Sequence, residues 1–239
     1  MQLIGLSLVG FVVWYGFADR DMTRISPFDA HALVMVLVGS LAAVLTSSSR
    51  LTTVRTFLFL RELVPGLARF SPDTDSLEAE RKQVGALWRE GNRAQAVALA
   101  ERSNYPAIKR MLELLLGRAP RAATETAFTE LKHAELGSWQ PAVSNWEMLA
   151  KLGPSFGMVG TITGMIQLFR NMGADNLNIG AAMSLALLAT LYGVAFGAGI
   201  AGPIGHYLRT LLDERLGAIE RCEQSVYELV ALSVGEARR

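Results

Sequence analysis

The sequence predicts an all-α integral membrane protein with a helical water-facing block, and three observations carry that prediction. Four apolar runs, residues 2–18, 30–46, 154–169 and 177–205, contain no Asp, Glu, Lys or Arg, and a helix of ~20 apolar residues crosses a hydrocarbon core. Hydrophobic residues make up 51% of the chain and mean hydropathy is +0.28, above the balance of ordinary soluble domains. The hydrophilic remainder carries its apolar residues at helical spacing and shows no alternating strand pattern. The fold expected is four transmembrane helices with a helical cytoplasmic domain.

Taken in order, residues 2–18 have a signal peptide as their rival reading. Against it, no basic segment precedes the run, and GFADRD follows where a small-residue cleavage site would stand. A second uncharged run opens at Ala30, so the pair reads as a membrane hairpin. The polar DRDMTRISPFD joins them, with Ser26-Pro27 as a turn signal. Residues 51–64 form an amphipathic stretch after the second span, with Arg50, Arg55 and Arg61 along it. Pro65-Gly66 and Ser71-Pro72-Asp73 end that stretch. A helix over 74–90 opens on Thr74-Asp75, an acidic first turn. Two more, 93–103 and 107–116, are separated by Asn104-Tyr105-Pro106 and stopped by Gly117 and Pro120. Leu112, Leu115 and Leu116 give the second of them an apolar face.

From Arg121 the pattern stays helical into the third span, with a mild break at Pro141. Trp146 and Lys151 suit a membrane interface. After the fourth span, residues 208–239 place Leu212, Leu216, Ile219, Val226 and Leu229 against acids and arginines, so the fourth helix is expected to continue into the cytoplasm. The segments are therefore 1–49 (transmembrane hairpin), 50–141 (helical cytoplasmic domain), 142–207 (spans three and four) and 208–239 (cytoplasmic helix).

Charge sets the orientation. Residues 47–141 hold fourteen Lys/Arg against eleven Asp/Glu, and Arg209, Arg215 and Arg221 follow the fourth span. The connection between spans three and four holds only Arg170 among basic residues, so the positive-inside rule puts both termini and the middle block in the cytoplasm. A formal net charge of +1 gives no field to recruit nucleic acid. The lone Cys222 permits no intrachain disulfide. His31, His133 and His206 are scattered, and no metal site is expected. Neither a Ser/His/Asp or Cys/His pairing nor a phosphate-binding loop appears, so no enzyme and no cofactor is expected.

The chemistry is sought in residues 149–207. Gly160–Gly164 and Gly193–Gly197 are small-xxx-small pairs that let helix backbones approach closely. Thr161, Thr163 and Thr190 put hydroxyls into dry helices, where helix packing with a hydroxyl bond to the preceding turn is the alternative reading. Ion transfer through lipid needs an ionisable group at depth. Spans three and four supply none, so an acid for it must come from another chain.

PSFGMVGTITG (154–164) followed by AMSLALLATLYG (182–193) resembles the third and fourth membrane helices of the MotA/PomA stator subunits, which belong with TolQ and ExbB in one family of ion-driven motor subunits. The match is dense over residues 149–204 and weaker elsewhere. The four-span layout is that of MotA and PomA, since TolQ and ExbB have a single span before the last two. The resemblance implies a ring-forming homo-oligomer, a pentamer, in the bacterial inner membrane. It also implies a MotB-like single-span partner with an intramembrane aspartate, and a flagellar rotor protein as the load. The transported ion would be a proton or sodium, with no other cofactor.

Residue by residue, the resemblance puts Thr161 and Thr190 on the ion path and makes Pro154 and Pro203 couple ion passage to cytoplasmic shape, against the alternative of tolerated kinks. Asp29 in F-D-A-H matches a channel-mouth aspartate, or is a helix-start acid. Arg89 falls at a family arginine, and Glu101 lies near the acidic cluster that meets the rotor. The usual glutamate-rich run is missing, because residues 96–100 are neutral. Ala189 stands where relatives carry another threonine, and one oxygen fewer favours protons over sodium. Two other readings stay open: a TolQ/ExbB-like energiser of envelope transport or gliding, and a non-conducting membrane scaffold.

Overall fold

The computed structural model describes residues 30–63, 74–170 and 179–236. The first predicted span, Asp29 and residues 171–178 between the last two spans lie outside them. The described residues form α1 (Ala30–Ser47), α2 (Arg50–Leu58, running into a 3-10 turn Phe59–Leu63), α3 (Thr74–Arg89), α4 (Arg93–Arg102), α5 (Pro106–Leu116), α6 (Arg121–Arg170), α7 (Ile179–Val194), a π-helical stretch Ala195–Ala201, and α8 (Gly202–Glu236). They fall into two compact units. One draws on Met1–Pro65 and Pro141–Leu208, the other on Gly66–Gln140 and Arg209–Arg239. The amphipathic stretch after the second span thus belongs with the membrane runs, and the C-terminal helix with the hydrophilic block.

In the first unit, α1 buries Ala32, Val36, Ser40 and Val44, one residue per turn. The Ser40 hydroxyl donates to the Val36 carbonyl at 2.6 Å, so the buried oxygen leaves no donor unmet. Ala32 packs with Leu185, Leu188, Ala189 and Tyr192 of α7. Gly39 admits the Phe156 ring of α6, which would lie 2.5 Å from a Cβ there. Val34, Val38 and Leu45 face outward, more than half exposed. Apolar side chains outside and a serine inside suit lipid rather than water. Two described helices are long and apolar enough to cross a membrane, Ala30–Ser47 and the one within Met183–Leu232.

The second unit closes around an ordinary apolar core. Leu77 and Val84 of α3, Ala96 and Ala100 of α4, and Ile108, Met111, Leu112 and Leu115 of α5 meet Phe128 of α6 and Ala218, Ile219, Cys222, Val226 and Leu229 of α8. Leu112 and Leu115 face that core, while Leu116 is exposed. Gly91, at φ +78°, makes the left-handed turn between α3 and α4 that a side chain would resist. Pro106 opens α5 at its first turn, where the missing N–H has no partner to lose. Ion pairs tie the unit's edges: Arg221 to Glu78 at 3.1 Å, Lys132 to Glu223 at 2.9 Å, and Arg215 to Glu135 at 2.5 Å. Arg215 also stacks on the Trp139 ring at 4.6 Å.

Candidate functional site: a hydroxyl pair between two glycine-packed helices

Within α6, Leu149, Gly153, Gly157, Gly160 and Gly164 recur every three or four residues and are buried. This glycine stripe meets α7 backbone to backbone. A Cβ on Gly153 would lie 2.7 Å from the Gly193 carbonyl oxygen, and one on Gly157 would lie 3.0 Å from that of Ala189. A Cβ on Gly193 would lie 2.5 Å from the Gly153 carbonyl oxygen. Glycines at such spacing are what lets apolar helices touch along their main chains. The sequence pattern had pointed to Gly160–Gly164 and Gly193–Gly197; the contact also recruits Gly153 and Gly157.

That approach brings two predicted residues together. The Thr161 and Thr190 hydroxyls are hydrogen-bonded to each other across the two helices. Within reach as acceptors are the Gly157 carbonyl (3.1 Å from Thr161) and the Ala186 carbonyl (3.2 Å from each hydroxyl). Two hydroxyls hold two protons. One proton joins the pair and the other goes to a carbonyl, so both donors are committed and the lone pairs left over only accept. Such a pair suits a proton donor or a bare cation. Thr163 differs: its hydroxyl returns to the Val159 carbonyl at 2.9 Å, which is the packing role.

Ala189, where a third hydroxyl was sought, is fully buried and its Cβ lies against Gly160. It is a position of helix contact.

Both predicted prolines sit at backbone irregularities. Pro154 lies inside α6 and denies the Ala150 carbonyl its helical donor. That oxygen would lie 2.6 Å from a Cβ on Gly197, and the Pro154 Cδ would lie 2.5 Å from it. Gly197 belongs to the π-helical stretch, which Gly202 closes with an N–H donated to the Gly197 carbonyl. Pro203 follows directly, and its ring would clash with the Gly199 carbonyl in a regular α-helix. The widened helix relieves that clash, and single π turns recur at working sites. Sequence reasoning missed the π stretch; its signal was the small-residue run AFGAGIAG before a proline.

The remaining predicted residues lie apart. Arg89, in the last turn of α3, pairs with Glu228 of α8 at 3.7 Å, both side chains more than half exposed, a pairing worth little by itself. Glu101 is exposed on α4. Among the described residues no group of three His, Cys, Asp or Glu could hold a metal ion.

Fold and hydroxyl pair together define a helical membrane subunit with a polar seam between two apolar runs, 154–169 and 177–205, that hold no Asp or Glu. The profile of the MotA/TolQ/ExbB proton channel family matches residues 100–221, just over half of the chain, and the chain belongs to that family. It is 40% identical over 93 residues to Motility protein A of Aquifex aeolicus, 39% of this chain and 35% of that one. It is 28% identical over 202 residues to Motility protein A of Borreliella burgdorferi, 78% of this chain and 72% of that one. The chain thus spans about a third of the Aquifex relative. Two solved structures share the fold. C. jejuni MotAB superposes with a TM-score of 0.79 at 12% identity, covering 96% of this chain and 88% of that one. The flagellar MotAB stator complex of Bacillus subtilis gives 0.74 at 19%, covering 95% and 88%.

Proposed function

We propose that the chain is a MotA-like stator subunit that, with a MotB-like single-span partner, conducts protons or sodium ions and converts their flow into torque for flagellar motility. It works as a ring, a pentamer, in the bacterial inner membrane, with both termini and the helical block in the cytoplasm. The observation that carries this reading is the Thr161–Thr190 pair: acceptor oxygens at the seam of two helices whose apolar runs hold no carboxylate. A partner's intramembrane carboxylic acid supplies the donor that the pair lacks. Pro154 and the π stretch before Pro203 then give the two helices a common place to yield as the acid gains and loses its charge. Arg89 and Glu101 are the candidate rotor contacts, and Asp29 the candidate channel mouth.

The test replaces Thr190 by Val, which keeps its shape, in cells that co-express the partner. Losing a hydrogen bond to a charged or proton-sharing group removes ~1.5–3 kcal/mol, so ion flux and swimming should fall at least about tenfold. Thr190→Ser should keep most of both. Undiminished flux in Thr190→Val takes the pair out of the path.

One observation favours a second load. Ala96 and Ala100, where an acidic run would face the rotor, are buried in the core. A TolQ/ExbB-like energiser would need no such run, and the partner's outer domain separates the two: a cell-wall-binding domain for the stator, a TonB/TolA-like system for the energiser.

A further inference from the structure

Helix α2 is inside out for a helix in water. Thr56 is fully buried, whereas Leu51, Val54 and Phe57 are 63%, 55% and 42% exposed. A water-facing helix turns its apolar stripe to the core. Here the hydroxyl side is pinned to the protein instead. The Asn145 amide donates to the Thr56 hydroxyl at 2.8 Å, and that hydroxyl donates to the Thr52 carbonyl at 2.8 Å. Ser48 donates to the Asn145 amide oxygen at 2.8 Å, and the Trp146 indole N–H donates to the Thr56 carbonyl at 3.0 Å. Every polar group of this knot has a partner, so the helix cannot roll to bury its apolar side without orphaning several. The Phe57 ring meets Trp146 edge-on, 6.3 Å between centroids.

The exposed apolar side therefore belongs in something other than water. Leu51, Val54 and Phe57 recur every three residues, and Arg50 and Arg55 flank them at helical spacing. The helix, RLTTVRTFL, contains no acid. It starts three residues after α1 ends at Ser47, at the level where that apolar span must leave the hydrocarbon. Apolar residues with flanking arginines suit the headgroup boundary, where guanidinium groups bind phosphate by paired N–H bonds.

We propose that α2 is a membrane-surface foot that takes anionic phospholipid: Leu51, Val54 and Phe57 enter the acyl boundary, and Arg50 and Arg55 hold lipid phosphate. The occupant is lipid because the surface continues a membrane span and its charge is of one sign. The knot on Asn145 fixes the foot to α6, nine residues before Pro154, so the headgroup layer sets the depth of the helix that carries Thr161. This rests on reading α1 as a membrane span, and the test keeps the two apart.

Spin labels are placed on Val54→Cys and, separately, on Val38→Cys in α1, in the full chain with its partner, reconstituted into phosphatidylcholine vesicles containing phosphatidylglycerol. Both labels should relax with oxygen rather than with an aqueous nickel chelate. Nickel access at 54 with oxygen access at 38 sinks the foot and leaves the span standing. Nickel access at both sinks the span reading as well. Access to neither reagent at 54 means that a second copy of the chain covers the helix, and the proposal fails. The headgroup arm uses mass spectrometry of lipid retained by the purified complex. Phosphatidylglycerol should be kept over phosphatidylcholine, and that preference should fall several-fold in R50Q/R55Q and less in R50K/R55K. Equal retention by wild type and R50Q/R55Q overturns the arginine role.

Discussion

Thr161 and Thr190 share two protons among each other and two carbonyls, and when the bond between them reverses, the second proton's carbonyl bond passes from one threonine to the other, each having a carbonyl within reach. A site of this kind changes its hydrogen-bond polarity at small cost, which is useful where a neighbouring acid gains and loses a proton. Cys222 is the opposite kind of residue. It is fully buried, and desolvation pushes its thiol up to about 12, outweighing the help Arg81 and Arg221 give the thiolate. The folded chain should therefore resist a thiol reagent at pH 8 and yield one reactive thiol only on denaturation; prompt labelling of the folded protein would contradict this. Glu78 is governed by its neighbours. Burial alone would raise its carboxyl, but Arg221, the Arg81 hydrogen bond and charge, and Lys82 together hold it below its ordinary value of 4.5. A depressed carboxyl stabilises the fold fully above that ordinary value and loses its contribution as pH falls through the depressed one. Resistance to denaturant should therefore fall on acidification below about pH 4.5, and Glu78→Gln should flatten that decline while lowering stability at neutral pH. An unchanged slope would show that Glu78 does not carry it.

At the scale of elements, the pairing of α6 with α7 is a backbone contact, and this makes its glycines unequal to others in the chain. A methyl on Gly193 would press on the Gly153 carbonyl oxygen at 2.5 Å and the Gly157 Cα at 3.0 Å, both main-chain atoms that cannot swing aside. Gly193→Ala should push the helices apart at a cost of ~1–3 kcal/mol, and flux should fall because the Thr161–Thr190 bond stretches. Gly137, within α6, has nothing within 4 Å of a Cβ. There alanine should stabilise by up to ~1 kcal/mol through helix propensity alone. Thermal unfolding of the two variants in detergent reads the contrast, and a shift in the same direction for both would mean that the close contact is not what Gly193 serves.

Across the whole molecule, what the sequence showed well was what repeats or punctuates. The helices of the hydrophilic block begin and end within a residue or two of their signals, because Thr74-Asp75, Pro106 and Gly117 act on their own turns. Thr161 and Thr190 stood out because hydroxyls are conspicuous in an apolar run, and their resemblance to the stator helices paired them. The partners of the glycines were not legible. A small-xxx-small spacing says that a face permits close approach, not which residue approaches, and Gly153 and Gly157 were found only in three dimensions. Asn145 and Thr56 lie 89 residues apart, so nothing local marks their bond. The π stretch before Pro203 depends on how the chain resolves a clash, which composition does not state. The absence of acid was plain from the start, and it leads to the last expectation. Residues 154–169 and 177–205 hold no Asp, Glu, Lys or Arg, and moving an ion through hydrocarbon without a group to exchange it is prohibitive. The chain reconstituted alone should therefore hold a proton or sodium gradient. Adding a single-span partner with an intramembrane aspartate should collapse that gradient, and changing the partner's aspartate to asparagine should restore it. If vesicles containing this chain alone leak, the hydroxyl pair is conducting unaided, and the division of labour between a hydroxyl wall and a borrowed acid is wrong.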